Sequence, residues 1–428
     1  MTTPPLKTIA IDLTPITPGG QNGGAKVFVL ELIRQLAQLA PSVQFILLTQ
    51  LASHEELRSL ESNHVLCKMI LDLTPGAQKR VTWLRRYLSP IWRILPQSLR
   101  LPLVGFARRL LKRRRKYATL LTDMGVDLLF CPFTAPTYYE PGIPVVSTLY
   151  DLQHKAFPQF FSAEELAHRD YVLVDACRKS KALVAISNYS RDDMLKYFQP
   201  DIHSISTIYL QMARRVMPLS DDVAPLLSQY QLQANQYLLY PANFWKHKNH
   251  EMMFVAFNMA CASGLNPEVK LVCTGAPNDR QVWLQRAAHN MGLANRIIFP
   301  GYLSDKQLAV LLKHAGGLIF PSLFEGFGIP VIEAMALGIP VACSRVSSLP
   351  EIAQDAALLF DPRVPSDIAA AMVSLLQDNV LRKKLISAGQ RRAEDFSDAT
   401  HMAMEYLQVF HAAVKPVMSQ GQDQEIYA

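Results

Sequence analysis

Residues 317–340 read Gly317-Leu-Ile-Phe-Pro-Ser-Leu-Phe-Glu-Gly-Phe-Gly-Ile-Pro-Val-Ile-Glu-Ala-Met-Ala-Leu-Gly-Ile-Pro340, and this order decides the fold. Gly317 to Phe320 is an apolar run without alternation, the pattern of a strand covered on both faces. Pro330 stands where a first-turn proline belongs, since its missing N–H would be unpaired there anyway. Gly338 and Pro340 then supply the stop signal. The loop between strand and helix carries Glu325, Gly326, Phe327 and Gly328, and Glu333 follows about one turn into the helix. A helix start of this kind presents free backbone N–H groups and the positive end of the dipole to an anion. Two carboxylates facing a phosphate would repel it, so they are better suited to neutral hydroxyls beside it. A sugar joined to a diphosphate meets both requirements.

Around that unit the chain alternates strands and helices. Lys7–Leu13, Val43–Thr49, Asp127–Cys131, Val145–Leu149, Ala182–Ile186 and Ile205–Ile208 read as strands. Ala25–Ala40, Ala163–Lys179 and Arg191–Tyr197 read as helices, the last with Ser190 as its capping candidate. The rhythm lapses over Gln211–Gln236, which reads as a link. It resumes with strands at Tyr237–Tyr240, Val269–Thr274, Arg296–Phe299, Gly317–Phe320 and Pro340–Cys343. A helix, Ala399–Val414, and a polar tail follow. The expected class is α/β: two Rossmann-like domains with mainly parallel sheets facing across a cleft, ligands binding at the carboxyl ends of the strands. The boundaries expected are 1–210, a link at 211–236, a second domain at 237–395, and a C-terminal helix and tail at 396–428 packing back toward the first domain.

Composition is compatible with this. The 428 residues are 50% hydrophobic and 18% charged, a globular balance. The 6 cysteines are scattered singly, with no C-x-x-C pair, which points to a reduced, cytoplasmic setting. No secretory signal and no membrane-spanning run is evident. The formal charge of +7 is unevenly placed: residues 79–117 hold 13 of the 43 Lys+Arg and none of the 36 Asp+Glu. Trp83, Tyr87, Trp92, Phe106 and several leucines interleave with those cations. That mixture suits an amphipathic helix on an anionic bilayer, and hence peripheral attachment to the inner face of the membrane. A helix packed on its own domain and a nucleic-acid patch are the competing readings.

The spacing Glu325 to Glu333, with Gly-Phe-Gly after the first glutamate, resembles the donor-site motif of the retaining glycosyltransferases of family 4 (glycosyltransferases group 1, GT-B fold). The resemblance covers roughly residues 8–395 and is strongest from 237 to 360. It implies that Glu325 and the backbone of Gly326, Phe327 and Gly328 hold the transferred sugar, and that Glu333 holds the ribose of the nucleotide. Lys248, in the stretch Pro-Ala-Asn-Phe-Trp-Lys-His-Lys-Asn-His (241–250), resembles the family's phosphate-binding lysine. Asn243 stands where the family has an arginine, leaving Lys246, His247 or a residue elsewhere to balance phosphate charge. Gly23 and Gly24 resemble the family's first glycine loop, which lets backbone approach the diphosphate. Tyr150-Asp151-Leu152-Gln153-His154 resembles its His-Asp-Leu segment beside the donor sugar. Tyr150 occupies the histidine's place, so either His154 or the Tyr150 hydroxyl takes that contact. Tyr302, in Phe299–Leu303, resembles the segment lying against the base, and Ser347–Glu351 the loop after the last core strand.

By this resemblance Lys248, Glu325 and His154 are the catalytic candidates, with no metal and no cofactor beyond the nucleotide sugar as co-substrate. The implied donor is a GDP-mannose or UDP-hexose, and the acceptor a hydroxyl of a glycan or lipid-linked glycan in cell-surface polysaccharide or glycolipid synthesis. Nucleic acid is not an expected partner. An epimerase of the same fold and a non-catalytic anion- or nucleic-acid-binding protein are the rival readings. The lack of G-x-G-x-x-G after the first strand counts against a dinucleotide oxidoreductase.

Overall fold

The structure, a computed structural model, describes residues 6–19, 22–71, 119–216 and 223–415. The basic segment 79–117, residues 217–222 of the expected link, and the tail lie outside the described residues. Two parallel sheets organise the rest. The first contains β1 (Thr8–Asp12), β2 (Gln44–Gln50), β3 (Val65–Leu71), β4 (Leu128–Cys131), β5 (Val145–Leu149), β6 (Ala182–Ala185) and β7 (Ile205–Thr207), in the order β3-β2-β1-β4-β5-β6-β7. The second contains β8 (Tyr237–Pro241), β9 (Lys270–Thr274), β10 (Ile297–Gly301), β11 (Gly317–Phe320), β12 (Val341–Ser344) and β13 (Leu358–Phe360), in the order β10-β9-β8-β11-β12-β13. Each is a doubly wound Rossmann-like unit, built from strands buried on both faces: β1, β4, β5 and β11 are buried at every position.

The strand order reverses between β1 and β4 in the first sheet and between β8 and β11 in the second. Connections leaving the two central strands there diverge to opposite faces and open a crevice at their carboxyl ends. The loops after β8 and β11, which carry Lys248 and Glu325, are therefore neighbours because of topology.

Local signals explain most of the helices. Gly23–Leu39 buries Phe28, Val29, Leu32, Ile33 and Leu36 on one stripe. Ala163–Lys179 opens with a capping box in which the Ser162 hydroxyl accepts from Glu165 N–H and the Glu165 carboxylate accepts from Ser162 N–H. The next helix differs from expectation. It spans Asn188–Phe198, and its cap is Ser187, whose hydroxyl accepts from Ser190 N–H. Both serines fit the cap pattern, and the earlier one wins because its backbone is extended. Two edge strands lie outside the sequence expectation: β13, only three residues long, and β3, a seven-residue strand whose apolar run is broken by Lys68. A helix, Val223–Gln229, also interrupts the stretch read as a link.

Two passages cross between the units side by side. Ala213 N–H donates to Phe396 carbonyl at 3.0 Å, and Asp398 N–H donates to the Gln211 side-chain oxygen at 3.1 Å. After the second crossing, the helix Ala399–Val414 lies on the first sheet. Tyr406 and Phe410 are fully buried there, their ring centroids 5.5 and 5.0 Å from that of Phe130, and the Tyr406 hydroxyl is 3.1 Å from that of Thr148. Phe410→Ala should therefore destabilise the protein by about 3–5 kcal/mol, the usual cost of emptying a buried aromatic site. Denaturant titration of the variant against wild type measures it.

Candidate active site

The cleft between the two units holds a cavity of about 1090 Å³. Its walls include Gly23, Gly24, Tyr150 and Asp151 from the first unit, and Asn243, Lys248, Tyr302, Glu325–Gly328 and Glu333 from the second. All the expected site residues except His154 thus face one space.

At its centre Lys248 Nζ lies 2.6 Å from Glu325 Oε1, with the two side chains only 12% and 11% exposed. Backbone geometry builds this pair. Lys248 ends a single 3-10 turn, Lys246–Lys248, stopped by Asn249 in the left-handed region at φ +62°. The Asn249 amide donates to the carbonyls of Pro321 (3.0 Å) and Pro362 (2.8 Å), and Leu323 N–H donates to His247 carbonyl (2.7 Å). The lysine turn is thereby fastened to the exit of β11. On the partner side, Glu325 N–H donates to Ser347 Oγ (2.9 Å) and its carbonyl accepts from Ser348 Oγ (3.0 Å). Gly328, at φ +105°, turns the chain into the helix Ile329–Ala336, whose N-terminus points into the cleft.

The second glutamate is more deeply placed. Glu333 is 1% exposed, and its Oε1 accepts from Arg215 Nε at 2.6 Å. Burial pushes its carboxyl above the usual range, and Arg215 pulls it back. Arg215 also reaches Asp305 at 2.5 Å. Sequence reading missed this arginine because it sits in the irregular stretch taken as a link.

Three expectations change. His154 does not line the cavity: it is 2% exposed, its Nε2 lies 3.0 Å from Asp170, and burial lowers its affinity for a proton. The short helix Gln153–Ala156 turns it toward Ala163–Lys179 instead. The alternative contact, the Tyr150 hydroxyl, is spent on Pro132 carbonyl at 2.7 Å. His247 is held neutral, its pKa driven to about 2 by burial and by nearby Lys248 and Arg169, so it adds no charge for a phosphate. Asn243, in the place of the family's arginine, accepts from Ala276 N–H at 2.8 Å and thereby shapes the β9 exit. The cavity's other cations include Arg169, Arg215, Lys246 and Arg280.

The units touch at the loop Glu325–Gly328. The Ser187 hydroxyl donates to Gly326 carbonyl (2.7 Å), and Ser190 Oγ to Tyr150 carbonyl (2.7 Å). The Phe327 ring packs toward the crossing, 5.5 Å from Phe396 and 6.4 Å from Tyr209 between centroids. Glu351, singled out only as part of a loop, proves to be an interdomain cap. Its carboxylate accepts from Asn188 N–H (2.8 Å), Tyr189 N–H (3.0 Å) and the Tyr209 hydroxyl (2.6 Å).

Comparison with known proteins agrees with this geometry. The family described as "Glycosyl transferases group 1" matches residues 229–392, and that described as "Glycosyltransferase Family 4" matches residues 22–210. The O-antigen chain mannosyltransferase B of Escherichia coli is 29% identical over 308 residues, 71% of this chain and 79% of the relative. A serotype-specific mannosyltransferase, WbdA, also of Escherichia coli, is 28% identical over 236 residues, 53% of this chain, and the match spans only 28% of that longer relative. Among solved structures, HepE of Anabaena in complex with UDP and glucose superposes with a TM-score of 0.70 at 17% identity, covering 95% of this chain and 100% of its own. Sucrose-phosphate synthase from Thermosynechococcus elongatus gives 0.67 at 19% identity, covering 95% and 98%. These structural likenesses establish the shared two-domain GT-B fold.

A Cβ at Gly326 would lie 2.3 Å from the Tyr150 carbonyl oxygen, across the interface between the units. Gly326→Ala should force the units apart and cost about 1–3 kcal/mol, the range for overpacking a tight contact. A lower thermal midpoint together with a larger radius of gyration in small-angle scattering would register the change.

Proposed function

The chain belongs to family 4 of the glycosyltransferases, and from that premise we propose that it moves a hexosyl group from a nucleotide-diphosphate sugar to an acceptor hydroxyl with retention at the anomeric carbon. Mannose is the first candidate for the transferred sugar, because the relatives over the longest matches are mannosyltransferases. GDP-mannose and UDP-hexoses are the donors to compare. The acceptor is a glycan or lipid-linked glycan in polysaccharide synthesis.

The observation that carries this reading is the contact of Lys248 with Glu325 in a cleft closed on its far side by Gly23 and Gly24. As the glycosidic bond breaks, positive charge grows on the sugar and negative charge on the departing diphosphate. Lys248 and the helix start at Gly328–Ile329 line the same cavity, so a compact cation and the backbone dipole are both available to that negative charge. Glu325 is engaged by one of the three donors of the Lys248 ammonium. Its remaining acceptor sites serve sugar hydroxyls. Glu333 serves the ribose. The departing phosphate takes the acceptor's proton, so no protein base of shifted affinity is required. Because charge compensation comes from side chain and dipole, turnover is metal-independent in this scheme, and excess EDTA should leave it unchanged.

Lys248→Ala or Glu325→Ala should lower turnover by about 10²–10³, the scale of removing one preorganised charge-stabilising group. Initial rates with purified protein, donor and acceptor test this, and a wild-type rate in either variant contradicts the assignment. Nucleotide diphosphate released only when acceptor is present distinguishes transfer from epimerisation.

The basic segment 79–117 carries the second part of the reading, docking on an anionic membrane surface. At about 1 kcal/mol per basic residue near the surface, even four engaged charges give reversible attachment. Among the described residues no helix is long and apolar enough to cross a membrane. Liposome flotation should show binding to anionic vesicles that weakens as salt is raised. Equal binding to neutral vesicles would remove the electrostatic part.

A further inference from the structure

Arg215 stands one side chain behind the cavity's deepest carboxylate and on the segment that joins the two units. Its Nε lies 2.6 Å from Glu333 Oε1 and its Nη1 2.5 Å from Asp305 Oδ1, while the guanidinium side chain is 14% exposed. All three residues line the cavity. The arginine is rooted at the crossing: Arg215 N–H donates to Met212 carbonyl (3.2 Å), and neighbouring Ala213 N–H to Phe396 carbonyl (3.0 Å). We infer that Arg215 is a positioning residue for donor binding, holding the Glu333 carboxylate charged and aimed so that it can accept from the ribose hydroxyls. This rests on the donor assignment above and adds a residue of the interdomain connection to it.

A carboxyl as buried as Glu333 is not kept ionised by its own helix. Ile329–Ala336 is apolar around it, and the elements packed on that helix present Leu349 near Gly328 and Gly389 against Met335. The charged groups facing Glu333 are Arg215, from the connection, and Asp305, from the head of the helix Asp305–Lys313. Asp305 repels it, so among the described residues it is Arg215 that favours the charged form. The planar fork also divides the work: Nε fixes Glu333 while Nη1 is anchored to Asp305, which sets the carboxylate's direction as well as its charge. Protonated, Glu333 would lose acceptor capacity on one oxygen and serve diol hydroxyls poorly.

The test uses the full chain and four probes: GDP, UDP and their 2′,3′-dideoxy counterparts, titrated calorimetrically from about pH 6 to about pH 9, above the range of an ordinary carboxyl, the side to which burial moves one. Wild type should prefer a ribose-bearing nucleotide throughout. Arg215→Met leaves burial unopposed, so its preference should fall by about tenfold at the acid end and recover as pH rises and Glu333 ionises. Arg215→Lys keeps the charge without the fork, so it should abolish the pH response while recovering only part of the preference. Glu333→Gln, neutral with Arg215 in place, should lose it at every pH and serves if Arg215→Met does not fold. An Arg215→Met protein that keeps a flat, wild-type preference overturns the inference. So does one that loses affinity equally for ribose and dideoxy forms at every pH, which is a packing defect. Wild-type indifference to the ribose hydroxyls overturns this inference and leaves the transfer reading standing. Wild type that binds neither GDP nor UDP overturns the donor assignment and the role of Arg215 with it.

Discussion

A lysine and a glutamate 2.6 Å apart, their side chains 12% and 11% exposed, on loops 77 residues distant in sequence, are the contact around which the cleft is arranged. Neither charge is tolerable alone at that depth, since removing one partner of a buried pair leaves an uncompensated ion. The pair therefore depends on everything that brings the exits of β8 and β11 together: the reversal of strand order between them, the left-handed turn at Asn249 and its amide bonds to Pro321 and Pro362. It also leaves a ligand with a prepared environment. A charged, part-dehydrated site next to a helix N-terminus interacts with a developing anion more strongly than a solvated one and needs little reorganisation.

Where the first unit meets the loop Glu325–Gly328, it does so with backbone and small polar groups. Gly326 approaches Tyr150 carbonyl so closely that no side chain fits, while Ser187 donates to the Gly326 carbonyl and Ser190 to that of Tyr150. Glu351 caps a helix of the opposite unit, and Phe327 buries its ring among Tyr209 and Phe396 at the crossing. The same short stretch, Glu325 to Gly328, thus contributes a charged side chain and backbone to the cavity and an aromatic ring to the crossing between the units. The cavity wall and the relative setting of the units therefore share residues.

Most elements were legible because parallel strands buried on both faces leave unbroken apolar runs, as at Val145–Leu149 and Gly317–Phe320. The helix Ala163–Lys179 was legible as the helical stretch between two strands, and its Ser162/Glu165 capping box emerged from the structure. What escaped was short and at the margins, such as β13, or locally ambiguous, such as Ser187 against Ser190. At the site, Glu325, Glu333 and Lys248 were found because their spacing to glycine and strand ends is local. His154 was misjudged for the same reason: four residues past a strand end, the chain had already turned its ring toward Asp170.

The amino-acid order by itself determined two strand–helix series, the glycine-bearing loop that opens the helix Ile329–Ala336, and the carboxylates on either side of it. These are properties of neighbours in sequence, governed by turn chemistry, caps and periodicity. Only the tertiary structure decided that Arg215, 118 residues before Glu333, is its partner, that Glu351 belongs to a helix start in the other unit, and that the Tyr150 hydroxyl is occupied elsewhere. Pairings of this kind follow from which sheet edges and helix ends the doubly wound topology sets side by side, and no local pattern of residues records that distance.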